Sequence, residues 1–342
     1  MSNLKKTYLI SILVLFVVTI LGVAFGATPI SFTSINLDGI YKYLTNQQLA
    51  DSTPYVILFE MRLPRVILGM LVGAVLAGCG VAFQSILKNP LAEPYTLGVS
   101  SGAGLGATLA MTVLAGTSIF FLPAVSFLSF VFAVTTVILV YFLARSQGQI
   151  NAINLILAGV VISSTFSAII SFLMLFTDDS IRQIFFWLMG NLQRASWNRI
   201  TVVFIPAVLG LLIIALKLKD LNILLIGDEE AQTLGVEVEK TKKIIILGAT
   251  LATAAVVSVS GLIGFVGLIV PHTLRLIFGS NNLKLFPLSV IWGGIFLTLA
   301  DLLARTIMIP REIPVGIITA LTGGPFFLFL LKQKTNRVNN HE

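Results

Sequence analysis

Two histidines, one cysteine and fifteen carboxylates are the side chains that could serve metal, nucleophilic or proton-transfer chemistry, and their spacing speaks against all three. His272 lies in VPHTLR within an apolar stretch, and His341 lies in the polar tail. A zinc centre needs about four ligands, at least three of them from protein, and His272 has no sequence neighbours to supply them. A packing or hydrogen-bonding role suits it better. Cys79 sits inside an apolar run, the setting of a small buried hydrophobe, and a lone cysteine closes no disulfide framework. No elbow motif seats a Ser/His/Asp triad, and no G-x-x-x-x-G-K-[ST] run occurs that would cradle ATP. SGAGLGA (101–107) has the glycine density of a nucleotide loop but neither a preceding strand nor a βαβ context. Together with Gly69 and Gly73 it reads as close helix packing through small residues. We expect no catalytic residue, no metal site and no cofactor held by this chain.

The carboxylates that fall near apolar segments cluster at segment ends: Glu60, Glu93, Asp178, Asp179, Asp301 and Glu312. A transporter coupled to protons or sodium carries ionisable groups at mid-membrane. Here the deepest is Asp301, with Arg305 at i+4, a spacing at which the two side chains meet on a helix. Mid-membrane charge is so scarce that the driving force is expected from another subunit.

The elements that must position these residues are membrane helices. Of the 342 residues 56% are hydrophobic and 11% charged, against about 45–50% and about 25% in soluble domains. The net charge of +7 fits basic cytoplasmic loops beside anionic lipid and does not call for nucleic acid. Apolar runs predict about ten spans, roughly Tyr8–Gly26, Pro64–Leu87, Leu97–Ala115, Ile119–Ala144, Asn151–Phe176, Arg199–Leu216, Lys243–Leu262, Phe265–Phe278, Leu285–Ala304 and Pro314–Leu331. The first exceeds a signal h-region of about 7–15 residues and reads as a retained helix. The third and eighth are short and broken by Gly and Pro, which a membrane tolerates where protein or a cavity surrounds the break.

With the N-terminus inside, Lys5, Lys6, Lys88, Arg145, Lys217, Lys219, Lys240, Lys242, Lys243, Arg275, Lys284, Lys332, Lys334 and Arg337 face the cytoplasm, whereas Lys42, Arg62, Arg65, Arg182, Arg194, Arg199, Arg305 and Arg311 lie outside. This bias follows the positive-inside rule and places both termini in the cytoplasm. It also puts the two arginines of EMRLPRVILGM (60–70) on the face that should be poor in positive charge. Either they anchor lipid headgroups or they face an acidic partner.

The largest polar stretch between spans, 217–243, is cytoplasmic in this topology. Asp228 is a candidate N-cap, Glu229 and Glu230 suit the first turn, Ala231 and Leu234 give an apolar face, and Gly235 is a natural stop. A docking helix explains these features better than a solvated loop does. GAVLAG (73–78) and GATLAT (248–253) form a faint echo, each ahead of a broken segment, as in an inverted repeat.

RLPRVILGMLVGAVLAGCGVAFQSILKNPLAEPYTLGVSSGAGLGA (62–107), GLIGFVGLIVPHTLR (261–275) and ADLLAR…REIPVGIITALTGGPFF (300–327) closely resemble the permease of binding-protein-dependent ABC importers for iron–siderophores, haem and vitamin B12. The resemblance covers nearly the whole chain. It implies an all-α integral membrane fold of about ten helices, one permease domain over 1–342 with 217–243 as its coupling loop. It also implies a homodimer, two ATP-binding subunits that hold ATP and Mg, and an extracellular or periplasmic substrate-binding protein. Arg62, Arg65, Arg305 and Arg311 then fall at binding-protein docking positions, and Asn89 and Leu91 near the cytoplasmic gate. Asp228, Glu229, Glu230, Ala231, Leu234, Gly235 and Val236 fall in the ATPase-coupling segment. The expected cargo is a metal chelate, an iron–siderophore first, then cobalamin or haem. A transporter or channel acting alone is the rival of another class, and an intramembrane enzyme centred on His272 is a further one.

Overall fold

The computed structural model describes residues 2–28, 35–45, 47, 52–114, 117–119, 122–146, 149–177 and 180–339. Asp178, Asp179 and His341 therefore lie outside the described residues. In chain order the helices are α1 (Ser2–Ala24), α2 (Leu37–Leu44), α3 (Thr53–Val56), α4 (Leu63–Ile86), α5 (Val99–Val113), α6 (Ala124–Ala144), α7 (Ala152–Met174) and α8 (Ile181–Leu188). They continue with α9 (Trp197–Leu216), α10 (Leu218–Leu224), α11 (Asp228–Thr233), α12 (Val238–Ser260), α13 (Val266–Phe278), α14 (Asn282–Thr306) and α15 (Val315–Asn339). Two-residue antiparallel pairs, Ser118–Ile119 with Leu122–Pro123 and Arg145–Ser146 with Gln149–Ile150, flank α6. The fold is that of an all-α membrane protein.

Each of the ten expected spans coincides with a helix. Among the described residues seven are long and apolar enough to cross a membrane, while α5, α13 and the described apolar part of α15 (Val315–Leu328) are shorter. The second span starts earlier than Pro64. A continuous helical rod runs from Thr53 to Ile86 because a π-helical turn, Ile57–Arg62, precedes the proline. Pro64 has no N–H to donate; in the widened turn the N–H of Leu63 reaches back to the carbonyl of Leu58, and the helix passes through.

The core is formed by α4, α12 and α14, whose small residues let backbones touch. A Cβ on Gly73 would stand 2.1 Å from the carbonyl oxygen of Gly293, and one on Gly80 would stand 2.0 Å from that of Gly267. Cys79 is buried here, its Sγ 3.6 Å from the carbonyl of Ala249, which brings the GAVLAG and GATLAT segments to adjacent helices. By contrast, α1 and α7 are mostly exposed, as helices facing lipid or another chain are.

Candidate functional site

Two broken stretches meet in the interior. Between α12 and α13 the chain is irregular over 261–265, with Gly261 at φ +68° and Phe265 at φ +68°. Its backbone groups are satisfied by the segment after α4, which carries a 3-10 turn at Pro94–Leu97. Tyr95 Oη donates to the carbonyl of Ile263 at 3.1 Å and accepts from its N–H at 3.1 Å. The carboxylate of Glu93 accepts from the N–H of Phe265 at 3.3 Å. Gln84 adds bonds to the carbonyls of Gly267 and Leu268. Non-helical backbone at membrane depth persists only when the protein supplies such partners, so Glu93 and Tyr95 brace the break. Neither stood out as a site residue in the sequence.

Where the C-terminal ends of α1 and α14 meet the N-terminal end of α4 lies a charged cluster. The side chain of Arg65 grips Asp301 through Nε at 3.0 Å and Nη2 at 2.9 Å, and it reaches Glu312 through Nη1 at 2.8 Å. Arg305 approaches Asp301 at 3.4 Å and donates to the carbonyl of Gly22 at 2.7 Å. Arg62 donates to the carbonyls of Val23, Ala24 and Thr28. The expected Asp301–Arg305 contact is present, but Asp301's stronger partner is Arg65, 236 positions away, which no local spacing reveals. Arg62, Arg65 and Arg305 are 5%, 9% and 2% exposed. Their forks are therefore turned inward and occupied, unlike the outward-facing side chains expected from the sequence. Arg311 is exposed beside them.

At the C-terminal end of α4 a second charged group joins the segment after α4 to α11 and the start of α12. Lys88, in a left-handed conformation at φ 49° just after α4, sits 2.9 Å from Asp228. Lys242 of α12 contacts the same carboxylate from the other side and also donates to the carbonyl of Ile150. Beyond Lys88, the Oδ1 of Asn89 accepts from the N–H of Leu91 at 3.0 Å, folding a tight turn that leaves Leu91 exposed.

The 217–243 stretch, expected to be a coupling loop, differs in detail from the expectation. Gly227, not Asp228, is the N-cap of α11, because the Asp228 carboxylate is committed to the two lysines. Glu229 and Glu230 occupy the first turn, Ala231 and Val236 are buried, and Gly235 ends the helix at φ +84°. Leu234, assigned to the inward face, is 60% exposed. The buried contacts are instead made by α10, a helix the sequence did not reveal, through Leu218, Leu221 and Leu224.

Burial alone would raise the Asp228 carboxyl, but hydrogen bonds and charge from Lys242 and Lys88 outweigh it and hold the carboxyl below its ordinary 3.8. A depressed carboxylate stabilises the fold above its ordinary value, and that contribution disappears as the pH falls through the lowered one. The unfolding midpoint is therefore expected to show no contribution from Asp228 titration between about pH 5 and 8. Asp228 and Lys88 are partly exposed, but Lys242 is buried, so Asp228→Asn should cost about 1–3 kcal/mol in thermal unfolding, most of it from the Lys242 ammonium left without its counter-charge. A loss near zero would show that water reaches Lys242.

Among the described residues no three His, Cys, Asp or Glu side chains converge. His272 is half-buried on α13.

The description "FecCD transport family" matches residues 12–333. The chain belongs to the FecCD transport family. A cobalamin import system permease protein, BtuC, of Halobacterium salinarum is 41% identical, over 83% of this chain and 76% of its own length. A hemin transport system permease protein, HmuU, of Yersinia pestis is 37% identical over 95% and 96%. A solved structure described as an inward-facing conformation of a metal-chelate type ABC transporter superposes with a TM-score of 0.83 at 31% identity, covering 96% of this chain and 99% of that one. As a FecCD member this chain is a multi-pass ABC transporter permease, and its all-α membrane fold is that of the matched transporter.

Proposed function

We propose that this permease moves a metal chelate inward across the cytoplasmic membrane, an iron–siderophore first and cobalamin or haem as alternatives, with both termini in the cytoplasm. The observation that carries the reading is the likeness, over 96% of the chain, to a transporter of metal-chelate type. The permease works as a pair of identical chains with two ATP-binding subunits and an external binding protein. The face of α7 that carries exposed Leu157, Val160, Val161 and Phe172 is apolar enough to meet a second copy.

The inner charged group supports a route for coupling. The exposed Leu234 and the acidic first turn of α11 offer a small contact to an ATPase. Asp228 connects that helix to Lys88, directly ahead of the gate residues Asn89 and Leu91. Movement of α11 would thus reach the gate through one ion pair rather than through the bilayer core. In reconstituted complex, Asp228→Asn is expected to leave ATP hydrolysis largely intact while transport per ATP falls. An unchanged ratio removes Asp228 from the coupling route.

On the outer face Arg311 is exposed and can meet a carboxylate of the binding protein, while Arg62, Arg65 and Arg305 are buried and hold the rim. Arg311→Glu should weaken docking without affecting folding. The function itself is tested in liposomes: uptake of a ferric siderophore should need both the ATPase and the binding protein, with cobalamin and haem as competitors to assign the cargo. Uptake by this chain alone would instead establish a secondary transporter or channel.

A further inference from the structure

At the outer ends of α5, α6, α8, α9 and α12 lies a cavity of about 330 Å³. Arg182, Arg194 and Arg199 line it, with Trp187, Asn191 and Gln193. Its floor includes Ser258 and Ser260, the last turn of α12 before the broken 261–265 segment, and the N–H of Asn191 donates to the carbonyl of Ser260 at 2.7 Å. The described lining contains no carboxylate.

These three arginines contrast with the outer cluster built on Asp301. Among the described residues none of them forms an ion pair, whereas Arg65 and Arg305 do. Arg182 lies over the ring of Phe186 at 5.7 Å, an arrangement that leaves its N–H groups available. Three guanidiniums around one concavity repel one another, and an oxyanion entering it relieves that repulsion while filling planar forks with paired hydrogen bonds. The volume lies at the small end of ligand sites, which run from about 300 to 1,000 Å³. It admits a compact chelate or one anionic arm of a larger one, with the indole of Trp187 as an apolar wall.

We propose that this cavity is an anion-binding vestibule that receives carboxylate groups of the cargo at the outer face, so that the importer favours anionic, carboxylate-bearing metal chelates. The proposal rests on the importer reading and narrows its substrate class. Bidentate oxyanion recognition would equally suit a lipid phosphate, and the test separates the two sources.

The full-length chain in phosphatidylcholine nanodiscs is titrated with ferric citrate while tryptophan fluorescence is followed, since Trp187 lines the cavity. Saturable quenching is expected, absent with the uncharged ferric hydroxamate ferrichrome. The pair Arg182→Gln and Arg194→Gln, both exposed side chains, should raise the midpoint at least about tenfold, a shift of about 1.4 kcal/mol. Lys42→Gln, a partly exposed lysine outside the cavity, should not move it. Equal quenching by ferrichrome, or an unmoved midpoint in the double variant, overturns the proposal. So does loss of ferric citrate quenching when phosphatidylglycerol replaces phosphatidylcholine, because the occupant is then a lipid headgroup. The measurement uses neither ATPase nor binding protein, so a failure here is distinct from a failure of ATP-dependent uptake.

Discussion

Asp301→Ala is expected to destabilise the protein by roughly 3–5 kcal/mol, the cost typical of removing one partner from a buried ion pair. The carboxylate is 1% exposed and accepts both Nε and Nη2 of Arg65 while facing Arg305. Without it Arg65 keeps only Glu312, and Arg305 keeps only the carbonyl of Gly22. A desolvated guanidinium lacking its counter-charge is far costlier than a missing contact, which is why the variant should lose more than the pair contributes. Denaturant unfolding in nanodiscs decides the matter: Asp301→Ala within about 1 kcal/mol of the parent would mean that water reaches the cluster and screens it.

Gly73→Ala should be nearly as damaging for a different reason. The added methyl would lie 2.1 Å from the Gly293 carbonyl oxygen and 2.8 Å from Leu297 Cβ. Its nearest neighbour is backbone on a facing helix and cannot rotate aside, so α4 and α14 must separate along their contact. Overpacking typically costs about 1–3 kcal/mol; a backbone clash at this central crossing should reach the upper end. A second glycine provides the control. At Gly324 a Cβ would meet nothing within 4 Å, so Gly324→Ala should be neutral or slightly stabilising through the unfolded state. Similar losses of folded yield in both variants would attribute the effect to glycine in a membrane helix generally, and not to the crossing.

Much of this was legible in the sequence because the membrane makes a simple demand. Apolar runs bounded by charge located every main helix, and the Gly/Pro interruptions marked the breaks at α5 and α13. What stayed hidden was long-range partnership. Nothing near Arg65 indicates Asp301 or Glu312, and an arginine at a helix mouth reads as outward-facing until its partners are known. The same holds for Asp228, whose cap role was inferred from local chemistry and lost to Lys88 and Lys242. Leu234 failed on a helix too short to have a settled face: α11 has six residues, and the turn at Gly235 gives the burial to Val236 instead. Pro64 misled for a physical reason, since a π turn upstream absorbs the missing donor.

The attachment of α1 has an evolutionary corollary. Its C-terminal end is held by Arg62 and Arg305 through the carbonyls of Gly22, Val23, Ala24 and Thr28, groups that every residue type possesses. These carbonyls include those left without intrahelical partners at a helix C-terminus, and the two cations also complement the negative end of its dipole. Since most of its side chains face outward, drift along α1 can be nearly free so long as hydrophobicity and length survive. The exceptions are Ser11, buried and accepting from the indole N–H of Trp292, Val18, also buried, and Gly22, where a Cβ would come within 2.9 Å of Val66. The helix behaves as an interchangeable strut whose fastening is written in other helices.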